Sequence, residues 1–453
     1  MFNKAIGKVA KFSLWVGFVL IVVTMAAHFA EHPQSPFLPS TEISIQGAIV
    51  PLILAYSIGL GIVSSRRSPK NALDLFTIAF LLRILISLLL TYAYQEQDEQ
   101  ILHEKATDLL SLSFTDVLGD GYVAVVSLLY IAFGSNLLLP KIFNSTLGSL
   151  MPFFICDITY KIYPDINSAS RALNFCIFLP PLLFYSAMNL KELPCAFLLI
   201  LTLWGLLVPS WMLGTRLIFA LLCVGITAFI RGGWALFPLI AVVFYLIFGQ
   251  GEWKIRNFLS WQRILMIAVV GGVVFFVMRP FLNTAIEHIN NRIFIGATAS
   301  WGTLQTANSS VTRSFLDIDQ PWSLRNILIQ VSRAPFSPSP LVIFGDFNFS
   351  TFVIGLIGLT QYLMMPFFLK GILCFWKNSE FCVVGLVEIA MQVTIGLSLM
   401  LGLTIHRQSI PHFALLYILS SVGQETSQKY NFILKGWWIA AIAYSAIYIV
   451  TKF

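Results

Sequence analysis

The stretch Leu403 to Ala414, LTIHRQSIPHFA, sets His406 and Arg407 between an apolar run at 381–403 and a second at 409–424. Charge inside or beside a bilayer is costly, so such a placement needs a physical reason. Working outward, apolar runs of about 17–23 residues recur along the chain, each long enough at about 1.5 Å per residue to cross a hydrocarbon core of about 30 Å. Of the 453 residues, 57% are hydrophobic and 11% charged, and the mean hydropathy is +0.82. A soluble chain of this length would need far more charged surface. With 39 Phe and 11 Trp, the runs read as helices with aromatic interfacial belts, not as alternating barrel strands. The expected fold is an all-α polytopic integral membrane protein, one membrane domain over 1–453 with roughly 13 transmembrane helices.

The net charge of +7 does not point to nucleic acid, because the basic residues lie mostly in short loops between spans. The first span, 12–30, follows Lys4, Lys8 and Lys11 and lacks a small-x-small cleavage site, so it reads as an anchor with a cytoplasmic N-terminus. Spans at 43–64 and 73–93 flank the basic SRRSPK (Ser65 to Lys70). An acidic outer loop, 94–120, then carries Glu96, Asp98, Glu99, Glu104, Asp108, Asp116 and Asp120. Further spans are expected near 143–160, 172–189, 194–212, 216–230, 233–249 and 262–279. A long outer loop, 280–349, precedes four more at 350–370, 381–403, 409–424 and 436–451. Segment 121–139 is read as interfacial, which keeps GEWKIRNFLSWQR (Gly251 to Arg263), Lys161, Arg171, Lys370 and Lys377 inside. That register gathers the acidic loop, YSAMNLKE (Tyr185 to Glu192), Arg231, the 280–349 loop and HRQSIP on the outer face. The six cysteines are scattered without a CxxC pair and read as packing residues. Sequons at Asn144, Asn308 and Asn348 carry little weight.

Three groups could do chemistry there. In FTDVLGDGY (Phe114 to Tyr122), Asp116 and Asp120 stand beside turn-permitting glycines. A carboxylate at the mouth of an apolar bundle can take a proton from a sugar hydroxyl; the plainer reading is an N-cap for the next helix. In PPLLFYSAMNLKE, Pro180 and Pro181 break a helix ahead of Lys191 and Glu192, and broken membrane helices tend to line cavities. Arg231, Arg313, Arg333 and Arg407 form an arginine set suited to phosphate, each alone being equally compatible with snorkelling to headgroups. No P-loop, GxSxG, HExxH or dinucleotide fingerprint occurs, and the sequence itself calls for no cofactor.

Four stretches in this order resemble the bacterial GT-C-type glycosyltransferases and the related oligosaccharide repeat-unit (O-antigen-type, Wzy-like) polymerases. They are DGY after the acidic loop, P-x3-YS with Lys191-Glu192, SFLDIDQPWSLRNILIQVSRAPFSPSP (Ser314 to Pro340) before QYLMMPFFLKGI, and HRQSIP. The match runs from about 73 to 424. It departs at His406, where the family often has a second basic residue, and the hairpin at 12–64 has no counterpart. The resemblance implies a bacterial inner-membrane transferase that builds surface polysaccharide at the outer leaflet. Its donor would be a polyprenyl-(di)phosphate-linked glycan, undecaprenyl-borne. Arg407 and His406, with Arg313 or Arg333, would hold the phosphate, and Asp120 or Asp116 would orient or deprotonate the acceptor or ligate a divalent metal. Arg231, Lys191, Glu192 and Tyr122 would complete the substrate-binding set. Implied partners are the glycan donor and acceptor, membrane lipids, and a chain-length regulator or other polysaccharide-assembly proteins, with no nucleic acid. A monosaccharide transferase using a polyprenyl-phosphate sugar is the rival within enzymes, and a lipid-linked glycan transporter or flippase the rival outside them. Arg83, inside LLRILIS, is a mid-span charge that none of these readings uses.

Overall fold

The computed structural model describes residues 45–64, 71–93, 97–108, 121–249, 334–336, 339–341, 349–375, 378–400, 410–425 and 431–452. Among them every regular element is helical. Among the described residues, five helical segments are long and apolar enough to cross a membrane: Gly47–Ser64, Ala72–Thr91, Leu138–Ile162, Leu213–Ile230 and Val353–Phe375. The expected spans at 12–30 and 262–279 lie outside the described residues. The chain forms two compact units, one of Met1–Phe153 with Leu183–Leu193, the other of Phe154–Leu182 with Pro194–Phe453.

The first unit opens with α1 (Ile45–Ser64) and α2 (Ala72–Ala93), which pack as a pair. Their contact is tight because Gly59 leaves room for Phe76: a Cβ there would lie 2.1 Å from Phe76 Cζ. Tyr56 and Thr77 share a hydrogen bond of 2.9 Å, and Phe76 stacks on Phe80. The opposite face of α1 leaves Ile49, Val50, Ile53 and Ile58 exposed, as a lipid-facing helix would. The acidic 94–120 segment, expected as a loop, contains helix α3 (Gln97–Asp108). Its polarity hid the helix, yet Leu102, His103 and Ala106 are buried, and α3 packs on α4 (Gly121–Phe133). His103 Nδ1 and the Tyr130 hydroxyl meet at 2.6 Å, and Ser127 Oγ donates to the Ala106 carbonyl. The segment expected as one interfacial helix over 121–139 divides, α4 ending at Phe133 after 13 residues and the next helix beginning at Leu138. α5 (Leu138–Ile162) follows.

The apolar segment expected as one span over 172–189 is broken. α6 (Ile166–Phe178) ends at Leu179, and α7 (Pro180–Tyr185) starts on two prolines. Proline disfavours helical backbone in the residue before it, and Leu179 is extended at φ −78°, ψ 140°. The missing amide hydrogens cost nothing in a first turn.

In the second unit, α8 (Glu192–Leu207), α9 (Leu213–Ile230) and α10 (Leu236–Phe248) follow one another. Arg216 ties them, donating to the Leu206 carbonyl at 3.1 Å and the Tyr245 hydroxyl at 2.8 Å. Later come α11 (Phe349–Phe375), α12 (Ser379–Met400), α13 (Ile410–Gln424) and α14 (Asn431–Lys452). α13 is the axis of this unit: Ile410 to Gly423 are all buried, enclosed by α6, α11 and α12. Small residues let the backbones of α11 and α13 meet, since a Cβ on Gly423 would fall 1.9 Å from the Phe367 carbonyl oxygen. Arg171 pairs with Glu425 and Gln424, Lys161 with Glu380, and Asn378 donates to the Ile162 carbonyl. Residues near 161–171, 378–380 and 424–425 therefore share one end of the unit.

Candidate functional site

The richest polar assembly in the first unit is built on one face of α5. Lys141, Asn144, Ser145 and Gly148 follow at helical spacing, so they share that face, and the last three meet the turn 186–191. Asn144 Nδ2 lies 2.7 Å from the Met188 carbonyl, 2.9 Å from that of Leu190 and 3.2 Å from the Tyr122 hydroxyl. The Tyr122 hydroxyl donates to Asn189 Oδ1 at 2.8 Å. Lys141 Nζ contacts Glu99 Oε2 at 3.2 Å, and Glu99 Oε1 accepts from the backbone amide of Asn189. Thus the acidic segment, DGY and YSAMNLKE are tied into one network. Lys141, Asn144, Asn189 and Tyr122 are each 0% exposed and Glu99 is 1% exposed.

The turn is pinned further along. Ser145 Oγ donates to the Ser186 carbonyl at 3.3 Å and shares a 3.0 Å hydrogen bond with Ser87 of α2. Gly148 leaves space that a Cβ would fill, 2.3 Å from Ser186 Cβ and 2.9 Å from Arg83 Nε. Arg83, fully buried, lies beside this turn and donates to the Ala79 carbonyl at 3.2 Å.

The expected site residues divide as follows. Tyr122 is at the centre of the network. Lys191, half-buried, and Glu192, buried, continue from the pinned turn, and Glu192 opens α8, where a carboxylate suits the helix N-terminus. Burial first, and the carboxylates of Glu192 and Glu99 to a lesser degree, push the Tyr122 hydroxyl well above its ordinary value, against the hydrogen bond from Asn144. Arg231 belongs to the other unit. Its backbone is extended after α9, and its guanidinium lies 5.0 Å from the Trp234 ring centroid. Asp116, Asp120, Arg313, Arg333, His406 and Arg407 lie outside the described residues.

Sequence reasoning passed over Lys141, Asn144 and Asn189, and counted Glu99 only as one acid among seven. A signal existed: Lys141, Asn144, Ser145 and Thr146 interrupt the apolar run LLLPKIFNSTL. Asn144 also heads a sequon, but its side chain is committed to the interior. Asn144 Oδ1 and Asn189 Nδ2 are buried without a hydrogen-bond partner among the described residues, one an acceptor and one a donor. Polar groups left in this state suit a small ligand that both donates and accepts, such as water or a hydroxyl. Among the described residues, no three His, Cys, Asp or Glu side chains gather as a metal cage.

No family model and no curated protein matches the chain. Among solved structures, ArnT from Cupriavidus metallidurans bound to undecaprenyl phosphate is similar at a TM-score of 0.40 and 15% identity. The overlap covers 88% of this chain and 64% of that one, so the chain spans less than two thirds of that protein's length. Similarity of this degree fixes neither fold nor activity.

Proposed function

We propose that the chain is a membrane glycosyltransferase that takes a glycan from a polyprenyl-(di)phosphate carrier at the outer leaflet. The observation that carries this reading is the meeting of Glu99, Tyr122 and the 186–192 turn in one buried network. These belong to the acidic segment and to two of the motif stretches, from places far apart in the sequence. The network's role is to fix the turn that leads into Lys191 and Glu192. Lys191 then contributes a half-buried cation to substrate binding, and Arg407, with Arg313 or Arg333, is assigned the donor's phosphate and its leaving charge. Asp120 or Asp116, preceding Tyr122, orients or deprotonates the acceptor hydroxyl. The finer reading is a polymerase of oligosaccharide repeat units, favoured by the length of the 280–349 segment, which could embrace a polymeric acceptor.

A second reading, a lipid-linked glycan transporter, is favoured by one observation: a buried Glu388–His412 pair near the midpoint of α12. Transporters place ionisable residues at membrane depth.

The test is surface polysaccharide on a gel from a strain lacking this chain, complemented with wild type or Arg407→Ala at matched membrane levels. Collapse from long polymer to single repeat units, unrescued by Arg407→Ala, is the outcome expected of the polymerase. A repeat unit missing one sugar would assign a monosaccharide transferase. Unchanged glycan in the deletion strain would contradict both.

A further inference from the structure

The stretch APFSPSP, Ala334 to Pro340, has prolines at 335, 338 and 340, so it cannot run on as an α-helix that satisfies its own carbonyls. Its first part is a single 3-10 turn, Ala334–Phe336. That turn packs against α11 and α12, with Ala334 fully buried beside Ile395 of α12. Side chains of α11 meet its carbonyls. Gln361 Nε2 donates to the Ala334 carbonyl at 2.9 Å, and the Tyr362 hydroxyl donates to the Phe336 carbonyl at 3.4 Å. Gln361 is 1% exposed, and its own Oε1 has no hydrogen-bond partner among the described residues. A buried amide satisfied only in part is costly, and the bond to Ala334 offsets that cost.

The Phe336 ring is held as firmly as the backbone. It stacks on Trp437 with centroids 4.8 Å apart and planes 8° apart, and on Tyr444 at 5.1 Å and 18°. Trp437 and Tyr444 are two turns apart on α14, about 10 Å along its axis, so the ring is slotted between them. Tyr362 meets Phe336 and Trp437 edge-on, and Trp437 Nε1 donates to the Tyr362 carbonyl at 3.0 Å, which ties α14 to α11. These contacts fall in the interior of the helices. Gln361 lies about 12 Å along the apolar stretch Val353–Phe375 from its first residue, against a hydrocarbon core of about 30 Å. Backbone outside a helix is tolerated at that depth only where protein surrounds it or where it lines a cavity.

We propose that the carboxyl-terminal end of the 280–349 segment re-enters the bundle as a buried turn at 334–341, and that Gln361, Tyr362, Trp437 and Tyr444 are positioning residues that fix the segment for acceptor binding. Insertion is a matter of packing within the second unit, whereas the acceptor role rests on the glycan-transfer reading. The four residues act through Phe336 and Ala334. A segment anchored at one end loses less freedom on gripping an acceptor than a loose one, so the anchor keeps the acceptor KM low.

The experiment uses the full chain in phosphatidylcholine nanodiscs with Ser339→Cys, which puts a thiol where a 4% exposed hydroxyl stands. Labelling by a membrane-impermeant maleimide is read at position 339 by mass spectrometry, apart from the native cysteines. The thiol reacts at least about tenfold more slowly than in the denatured chain, and adding Trp437→Ala restores most of the rate. Gln361→Met, which leaves the aromatic stack in place, acts in the same direction and serves where the larger truncation yields no folded protein. Transfer is then measured without the thiol, with lipid-linked donor saturating and acceptor oligosaccharide varied. Trp437→Ala raises the acceptor KM about tenfold with little change in kcat, and Trp437→Phe, which keeps a ring in the stack, recovers most of the loss. A merely structural defect would lower kcat through the active fraction and leave KM alone. Rapid labelling in the folded chain would overturn the insertion. An acceptor KM unmoved by Trp437→Ala while position 339 becomes reactive would overturn the positioning role. A protected thiol in a chain that transfers no glycan would refute the glycan-transfer reading and uphold the insertion.

Discussion

The two units solve the problem of buried charge in opposite ways. In the first, Lys141 meets Glu99 directly, and the second oxygen of that carboxylate is taken by the Asn189 amide. The anion is fully satisfied, and the pair works as a clamp on the 186–192 turn. In the second, Glu388 has one oxygen occupied by His412 and Gln392 and the other bare. A closed network positions a neighbouring segment; the open one leaves Glu388 Oε2 without a hydrogen-bond partner among the described residues. Burial alone does not separate the two arrangements, because Lys141, Glu388 and His412 are all 0% exposed.

The comparison can be broken most forcefully at Lys141. Lys141→Met leaves Glu99 buried without its cation and should cost about 3–5 kcal/mol in denaturant unfolding of the detergent-solubilised protein. Adding Glu99→Gln should restore most of that loss, because the uncompensated charge goes with it. If the single substitution proves neutral, the clamp is not what holds the turn. Gly423→Ala probes packing without charge. Its Cβ meets backbone, which cannot rotate away, so α11 and α13 must separate, at about 1–3 kcal/mol or more by the same assay. Tyr122→Phe removes the donor to Asn189 Oδ1 and should cost about 1–3 kcal/mol, with glycan transfer falling further than stability accounts for.

The smallest effect is expected at Asp165, which caps α6 by accepting from the Ser168 amide and hydroxyl. The backbone hydrogen bond from Ser168 first, and its hydroxyl second, hold this carboxyl below its ordinary value. A depressed folded value contributes stability above the unfolded pKa, about 3.9, and loses it as the pH falls through the folded one. The Tm difference between wild type and Asp165→Ala should therefore be constant near neutrality and close under strong acid. A difference that grows on acidification would reverse the sign.

Apolar runs made the helices of the second unit legible. The expected 350–370, 381–403 and 436–451 fall within a few residues of α11, α12 and α14. Pro180 and Pro181 gave the break that follows Leu179, although the segment was still read as one span over 172–189. Helix α3 was not legible because hydropathy sees its charges, not the few residues it buries. The site was half visible. Tyr122, Lys191 and Glu192 stand out by their motifs, while Lys141 and Asn144 lie in an apolar run and Asn189 is an uncharged residue inside YSAMNLKE. Their importance comes from partners 42 to 67 residues away, which no local pattern encodes.

The most direct measurement is glycosyl transfer by the purified chain in nanodiscs, with a polyprenyl-diphosphate-linked oligosaccharide as donor and acceptor. Product length and released carrier phosphate would be followed for wild type and Lys191→Met. Wild type should extend the glycan, and Lys191→Met should slow transfer by about 10²–10³-fold, further than any change in its unfolding midpoint accounts for. Transfer by Lys191→Met at the wild-type rate, or no transfer by a folded wild type, would contradict the account.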